Sequence, residues 1–465
     1  MFPSTAAAAP VVVLGPHGAA TVRNDPFVSS LALTPKPLLV PAVAARARPT
    51  QPTVRGALAR LLATHGISRA AYRGYSARFN AALAVERRLR GTRAAELESV
   101  TENLHQIAAA GSLTASRLPV LFETLDRNRQ WWTTGPLLSS GQRVEFTDSA
   151  LVWEYYPGQG IELQVLGSFG KADGLFTGGA ADYPQLRQLL SEIIPLAARR
   201  GGGLTWEYYF NFDGGSPPWT SAMSQATGLE ALTRGYEAFG NKNYLSIAGR
   251  ALPIFSVRPP VGVNLRTSLG TRYLQYSFAP GASILNAFLQ TLIGLYDYAH
   301  ISGNPQAARL FAAGDAEARA EVPTFDTGAW SLYQPGVEDT LDYHTLVTGF
   351  LQQLCARTHA LPYCTTATHF EAYLKTPPAL RLLTTRARVR RPLAIRFTLS
   401  KYSHVGIVVE QGERTVFSTS AEFGYGVDSF SIPPLLATGP YAIRLAATDL
   451  AGNFGRIAGT LQVSR

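Results

Sequence analysis

Hydrophobic periodicity changes several times along this chain, and the changes limit the folds open to it. Leu, Ala and Arg recur at three- and four-residue spacing through VRGALARLLATHG, YRGYSARFNAALAVERRLRG and RAAELESVTENLHQIAAAG, which predicts amphipathic helices over residues 53–132. Gly66, Gly91 and Gly111 are natural stops for them. Residues 140–180 then read as strands, because VEFTDSALVWEYYPGQGIELQVLGSFG alternates about a PGQG turn. Helical spacing returns over 183–199, 220–239, 244–255, 283–301, 306–321 and 343–358. Short helices in such succession stack into a bundle, a solenoid or a toroid. Between two of them VGVNLRTSLGTRYLQYSFAPGAS is too polar and turn-rich for helix, and reads as a loop or short hairpin.

The last part of the chain alternates with period two, in LAIRFTLSKYSHVGIVVEQGERTVFSTS and GPYAIRLAATDLAGNFGRIAGTLQV. An all-β unit of this size is most simply an immunoglobulin-like sandwich. The expected fold class is therefore multidomain α+β. The organisation expected is an extended N-terminal tail over 1–52, which holds nine prolines, a helical segment over 53–135 and a β-rich region over 136–180. A helical domain over 181–376, a basic linker over 377–392 and the sandwich over 393–465 complete it.

With 46% hydrophobic and 16% charged residues in 465, the chain can build sizeable cores and is not disordered as a whole. No apolar run reaches the ~18 residues of a membrane span. The N-terminal apolar stretch, 6–14, is interrupted by Pro10 and has no basic residues before it, a poor signal peptide. Net charge is +10, with 37 Arg against five Lys. Arg forks match carboxylates and sulfates, so an acidic polymer is the favoured partner, although a GC-rich coding bias also writes Arg for Lys. No nucleic-acid module accompanies the charge, and the basic stretch 375–401 reads as a solvated connector.

Cys355 and Cys364 are the only cysteines. They have no zinc-type spacing, and no metal site is expected. At nine residues' separation they can close a small loop as a disulfide, or remain two buried free thiols. The disulfide suits an oxidising compartment, and the expected location is extracytoplasmic or secreted. The sequence leaves the oligomeric state open, a homodimer included.

No phosphate loop, GxGxxG, HExxH, GxSxG or EF-hand is present. Aromatic residues cluster in loops instead: WEYYFNFDGGSPPW, TRYLQYSF, FDTGAWSLYQPG and LDYHTL. Tyr and Trp lie flat on sugar faces, and a phenol can exchange protons, although any one of these rings also suits core packing.

These segments resemble the C-terminal domain of D-glucuronyl C5-epimerases over about 205–375. The resemblance rests on WTSAMSQATGLEALTRGY, RYLQYSFAPGASILNAFLQTLIGLYDY, ARLFAAGDAEARAEVPTFDTGAWSLYQPG and LDYHTLVTGFLQQL, in that order, with YYPGQGIELQVLGSFGKADGL before them. It implies an incomplete (α/α) toroid with a small β-rich domain at its mouth. It also implies cofactor-free inversion at C5 of a hexuronate in an anionic polysaccharide. In the family tyrosines move the proton, and the matching positions are Tyr276, Tyr333 and Tyr343. His344, Asn286, Gln275, Trp219, Trp330 and Arg272 are the residues expected to contact substrate. Three departures stand out: Gln275 replaces a glutamate, Gly336 an arginine and Val347 a histidine. Glu338, Asp339 and Asp342 lie close by in sequence, where they read as surface charges or helix caps. A glycan-binding protein without catalysis is the alternative. A uronate lyase, or a hydrolase using Glu207, Asp213 or Asp326, is weaker.

Overall fold

The computed structural model describes residues 8–29, 53–435 and 437–465. It divides into two compact units, one of residues 1–282 with 290–317 and one of 283–289 with 318–465.

The first unit holds a five-stranded sheet, and two of its strands correct the expectation of an extended tail. Ala8–Leu14 and Ala20–Ser29 form an antiparallel hairpin. Ala8–Leu14 also pairs in parallel with Arg143–Phe146, which is followed in the sheet by Trp153–Tyr156 and Gly160–Leu163. Val11, Val12, Val13 and Leu14 are buried, as an apolar run flanked by strands on both sides should be. Pro10 stands near the start of that strand and Pro26 is on the edge strand, where a missing N–H is tolerated. Lys171 fixes the hairpin to the rest of the unit. Its buried ammonium donates to Glu145 at 2.5 Å and pairs with Asp25 at 3.0 Å. Residues 1–7 and 30–52 of the expected tail lie outside the described residues.

The expected N-terminal helices are Val54–Ala63, Arg69–Glu86, Thr92–Ala109 and Leu118–Thr134. Thr53 and Ser68 cap the first two by accepting from the Gly56 and Ala71 amides. A second correction concerns the end of the β-rich region, because Val165–Gly178 is a helix. Its buried residues Val165, Ser168, Phe169, Ala172 and Leu175 recur at helical spacing. The unit continues through Tyr183–Ile193, Ala222–Phe239 and Asn243–Ala251, and the Asn264–Arg266 and Thr271–Tyr273 strands form the short hairpin expected there. Helices Leu285–Ser302 and Pro305–Glu321 come next in the chain, most of each in this unit, with residues 285–289 and 318–321 counted in the second.

The second unit contains the hairpin Leu332–Gln334 with Val337–Glu338, the helices Leu341–Thr358 and Leu361–Tyr373, and the C-terminal strands. A disulfide joins Cys355 to Cys364, with Cα atoms 4.9 Å apart, and ties the two helices together. The strands form a three-stranded and a five-stranded sheet around one core that includes Ile395, Phe397, Ile407, Phe430, Ile443 and Leu461. The expected linker is part of this unit. Leu380–Leu382 and Arg386–Arg388 each supply a strand, one to each sheet. Gly455 makes the approach possible, since a Cβ there would lie 2.2 Å from the Pro378 carbonyl oxygen. Among the described residues no helix is long and apolar enough to cross a membrane.

Candidate active site

In the first unit the loop 206–219 folds back on itself. Tyr208 and Trp219 exchange backbone hydrogen bonds at 2.8 and 3.1 Å, and their rings stack at 4.2 Å. The Trp219 indole donates to the Phe210 carbonyl, so the ring is locked in place. Tyr276 joins this cluster, with ring centroids 5.5 Å from Phe212, 5.7 Å from Trp219 and 5.4 Å from Phe278. Gly215 permits the packing, because a Cβ there would meet the Phe278 ring at 2.5 Å.

The backbone around Tyr276 is tied to the start of the Ala222–Phe239 helix, with Ala222 donating to the Leu274 carbonyl and Ser277 to that of Thr220. Ser221 caps that helix by accepting from the Ser224 amide, and its hydroxyl donates to the Gln275 carboxamide at 3.4 Å. Gln275 is thus positioned by a helix cap, and it cannot take up a proton. Arg272 is partly exposed and lies 3.9 Å from Glu317.

Glu207 shows why the hydrolase expectation does not hold for that residue. Its fully buried carboxylate receives a fork from Arg117 at 2.7 and 2.8 Å, Arg200 at 2.8 Å and the Tyr209 hydroxyl at 2.8 Å. Burial alone would raise its pKa. Hydrogen bonding and charge from Arg117, reinforced by Arg200, outweigh burial and hold the carboxyl below its ordinary range. A carboxylate engaged in this way is a structural anchor. Asp213 lies in the turn closed by Phe212 and Gly215. In the second unit, Asp326 is occupied by His369 at 2.8 Å and the Tyr373 hydroxyl at 2.9 Å.

Tyr333 and Tyr343 come together in the second unit. Tyr333 is on the Leu332–Gln334 strand and Tyr343 in the first turn of Leu341–Thr358, and their rings meet edge to face at 5.1 Å. Thr340 caps that helix by accepting from the Tyr343 amide. Asp342 falls in the same turn, where a negative charge suits the helix dipole. Asn286 is buried, and its carboxamide oxygen has no hydrogen-bond partner among the described residues.

His344 and Trp330 correct the expectation of substrate contact. Trp330 stacks on His344 at 3.8 Å and donates its indole N–H to the Asp339 carbonyl. His344 is fully buried, with Nε2 2.9 Å from the Phe370 carbonyl and Nδ1 2.7 Å from the Ser331 hydroxyl. A carbonyl only accepts, so Nε2 carries the proton, and Nδ1 accepts from the Ser331 amide at 3.3 Å while the Ser331 hydroxyl donates to Asp339. Both ring nitrogens are satisfied within the unit. Burial lowers the His344 pKa to about 4, so the ring is neutral. Its contribution to stability is complete above the unfolded value near 6.5 and is lost as pH falls through about 4. Urea unfolding of His344→Gln is expected to show a shallower loss of stability across that window than the parent chain.

Glu338 and Lys401 connect the Tyr333 hairpin to the C-terminal sheets. Glu338 faces Leu332 across the hairpin, and its carboxylate accepts from the Tyr402 and Tyr425 amides at 2.9 Å each. Burial of Glu338 and Asp339 corrects their reading as surface charges. Lys401, also buried, lies 5.1 Å from the Trp330 ring centre, donates to the Tyr373 and Thr376 carbonyls and pairs with Asp449 at 2.5 Å. Sequence reading missed Ser331, Phe370 and Lys401, because no local signal links segments so far apart along the chain. Glu338→Ala removes the acceptor of two amides, at about 1–3 kcal/mol each. Amide hydrogen exchange over 332–338 is expected to accelerate, with exchange in the first unit unchanged.

The paired phenols and the aromatic loop lie within one matched segment. Residues 201–372 match the family model described as D-glucuronyl C5-epimerase C-terminus. The resemblance read from the sequence is thereby borne out. A D-glucuronyl C5-epimerase of Caenorhabditis elegans is 34% identical over 130 residues, 25% of this chain and 21% of that protein. An uncharacterized protein of Methanocaldococcus jannaschii, MJ1128, is 31% identical over 137 residues, 28% of this chain and 44% of its own length. The chain thus spans less than half the length of these curated relatives. Among solved structures, a sugar epimerase from a ruminal bacterium aligns with TM-score 0.34 and 16% identity, over 45% of this chain and 58% of that one. A cellobiose 2-epimerase from Bacillus thermoamylovorans aligns with TM-score 0.31 and 14% identity, over 46% and 59%.

Proposed function

We propose that this chain is a carbohydrate epimerase that inverts C5 of hexuronate residues within an acidic polysaccharide. The observation that carries the reading is the pairing of Tyr333 and Tyr343 at 5.1 Å inside the segment that matches the epimerase family. In this mechanism a phenolate takes the C5 proton and becomes a phenol. The electron pair left at C5 spreads into the adjacent carboxylate as an enediolate. A phenol on the opposite face then returns a proton to C5 and becomes a phenolate. Nothing else is consumed, so side chains suffice. Tyr276, Tyr333 and Tyr343 are assigned to proton transfer. The buried acceptor on Asn286 suits a sugar hydroxyl and Arg272 the charge that builds on the carboxylate, whereas Trp219, buried and stacked on Tyr208, holds the aromatic loop in place. Gln275 holds a hydrogen bond where the family has a glutamate, so ionising the first phenol from its ordinary pKa of ~10 falls to other groups.

The fold that goes with this reading is an incomplete (α/α) toroid with the β-rich region at its mouth, and an immunoglobulin-like sandwich formed by the C-terminal sheets. The Cys355–Cys364 disulfide supports an extracytoplasmic location.

The test is incubation with an unsulfated glucuronate polymer in D2O. Deuterium at C5 and the appearance of the C5-inverted sugar by NMR are the expected results. Retention of the polymer without any exchange would instead make the chain a glycan-binding protein, the reading that the Gln275 and Gly336 replacements favour. An ultraviolet-absorbing unsaturated product would make it a lyase.

A further inference from the structure

The five-stranded C-terminal sheet turns a face away from its core on which basic residues are segregated. Its strand order runs Arg386–Arg388, Phe454–Ser464, Gly439–Asp449, Ser403–Gln411, Arg414–Phe423. Arg386 stands opposite Gln462 and Arg388 opposite Ser464. Arg444 stands opposite Ala458, and Arg456 opposite Ala446. All four arginines are exposed, and Ala442, Ala458 and Thr460 leave the surface between them low. At ~3.3 Å per residue the four mark a path about 25 Å long. Phe454, 57% exposed, lies at one end of it, two residues from Arg456 on the same face.

The acids of this face lie to one side. Glu410 pairs with Arg444 at 3.0 Å, and Glu422 pairs with His404 at 3.0 Å near the opposite edge. Arg386, Arg388 and Arg456 have no acidic partner among the described residues. Unpaired guanidinium forks on a low surface beside an exposed ring suit a polymer that repeats a carboxylate along its length and offers flat sugar faces.

We propose that this face, through Arg386, Arg388, Arg456 and Phe454, holds an acidic polysaccharide chain. The proposal rests on the acidic-glycan reading above and adds a second contact point for the same polymer.

The test compares binding of the full chain to an immobilised glucuronate polymer with that of Arg386→Ala/Arg388→Ala/Arg456→Ala. A control, Arg381→Ala/Arg396→Ala/Arg414→Ala, removes equal charge elsewhere on the two sheets. The first variant is expected to bind about tenfold more weakly, and the control to stay within about twofold of the parent. Thermal unfolding of both variants is expected to match the parent, because the side chains removed are exposed. Equal losses in both variants would overturn the proposal, as would a parent chain that does not bind the polymer. Equal or tighter parent binding to double-stranded DNA or phosphatidylserine vesicles would also overturn it, in favour of general anion attraction. C5 exchange on a short uronate oligosaccharide separates the two readings. Polymer binding lost in the first variant with no exchange by the parent sinks the epimerase reading and leaves this one standing.

Discussion

Tyr343→Phe is expected to lower C5 deuterium exchange by about 10²–10⁴-fold, the usual range for removing a proton-transferring group. The phenyl ring keeps the edge-to-face contact with Tyr333, so the substitution removes one hydroxyl and little packing. The melting temperature is therefore expected to stay close to the parent value. Tyr333→Phe should behave alike. Exchange at parental rates in both variants, with the parent active, would remove these phenols from the chemistry. Polymer affinity should change far less than the exchange rate, because the group acts on a proton in the transition state.

Glu207→Ala should give the largest loss of stability. It leaves Arg117 and Arg200 nearly buried around a missing carboxylate, and the Tyr209 hydroxyl without its acceptor. Removing one partner of a buried charge pair costs about 3–5 kcal/mol. Urea unfolding of the parent and variant checks this, with circular dichroism confirming that each starts folded. The pH dependence has a definite sign. Because the folded Glu207 pKa is depressed, its stabilisation is present above the unfolded carboxyl value and is lost as pH falls through the folded value. The gap between parent and variant should therefore be widest near neutral pH and narrow in acid. A gap that grows in acid would mean that Glu207 is not ionised in the folded chain.

Much of the helical part was legible, because period is a local property. Leu341–Thr358 shows why: the D-Y-H-T segment opens it, Thr340 caps it and its apolar residues recur at helical spacing. Tyr333 and Tyr343 were candidates through the family resemblance, whereas the helices were read from period. Period failed where local composition and tertiary partners disagreed. Prolines disguised the Ala8–Leu14 strand, whose buried apolar residues gain their value only between two pairing partners. Val165–Gly178 has apolar residues that satisfy a strand pattern over a few positions, and burial of one face selected helix. The Arg-rich stretch 377–392 resembled a connector, because its strands have no period of their own beyond three residues each.

The roles of polar residues were the least legible. His344 follows a candidate catalytic tyrosine, yet Phe370 and Ser331 occupy both of its nitrogens. Glu338 reads as a surface charge, and only the approach of the Tyr402 and Tyr425 amides makes it a buried tether. A side chain's hydrogen-bond partners come from other parts of the chain, and spacing along one segment does not encode them.

By itself, then, the sequence determined which stretches coil, which segment resembles the epimerases and which phenols are available. Tertiary structure decided which ionisable groups are already taken, at Glu207, His344 and Glu338, and which arginines still face solvent. The division has one cause. Local backbone preference acts between near neighbours, whereas burial and pairing act between residues that only folding brings within a few ångströms.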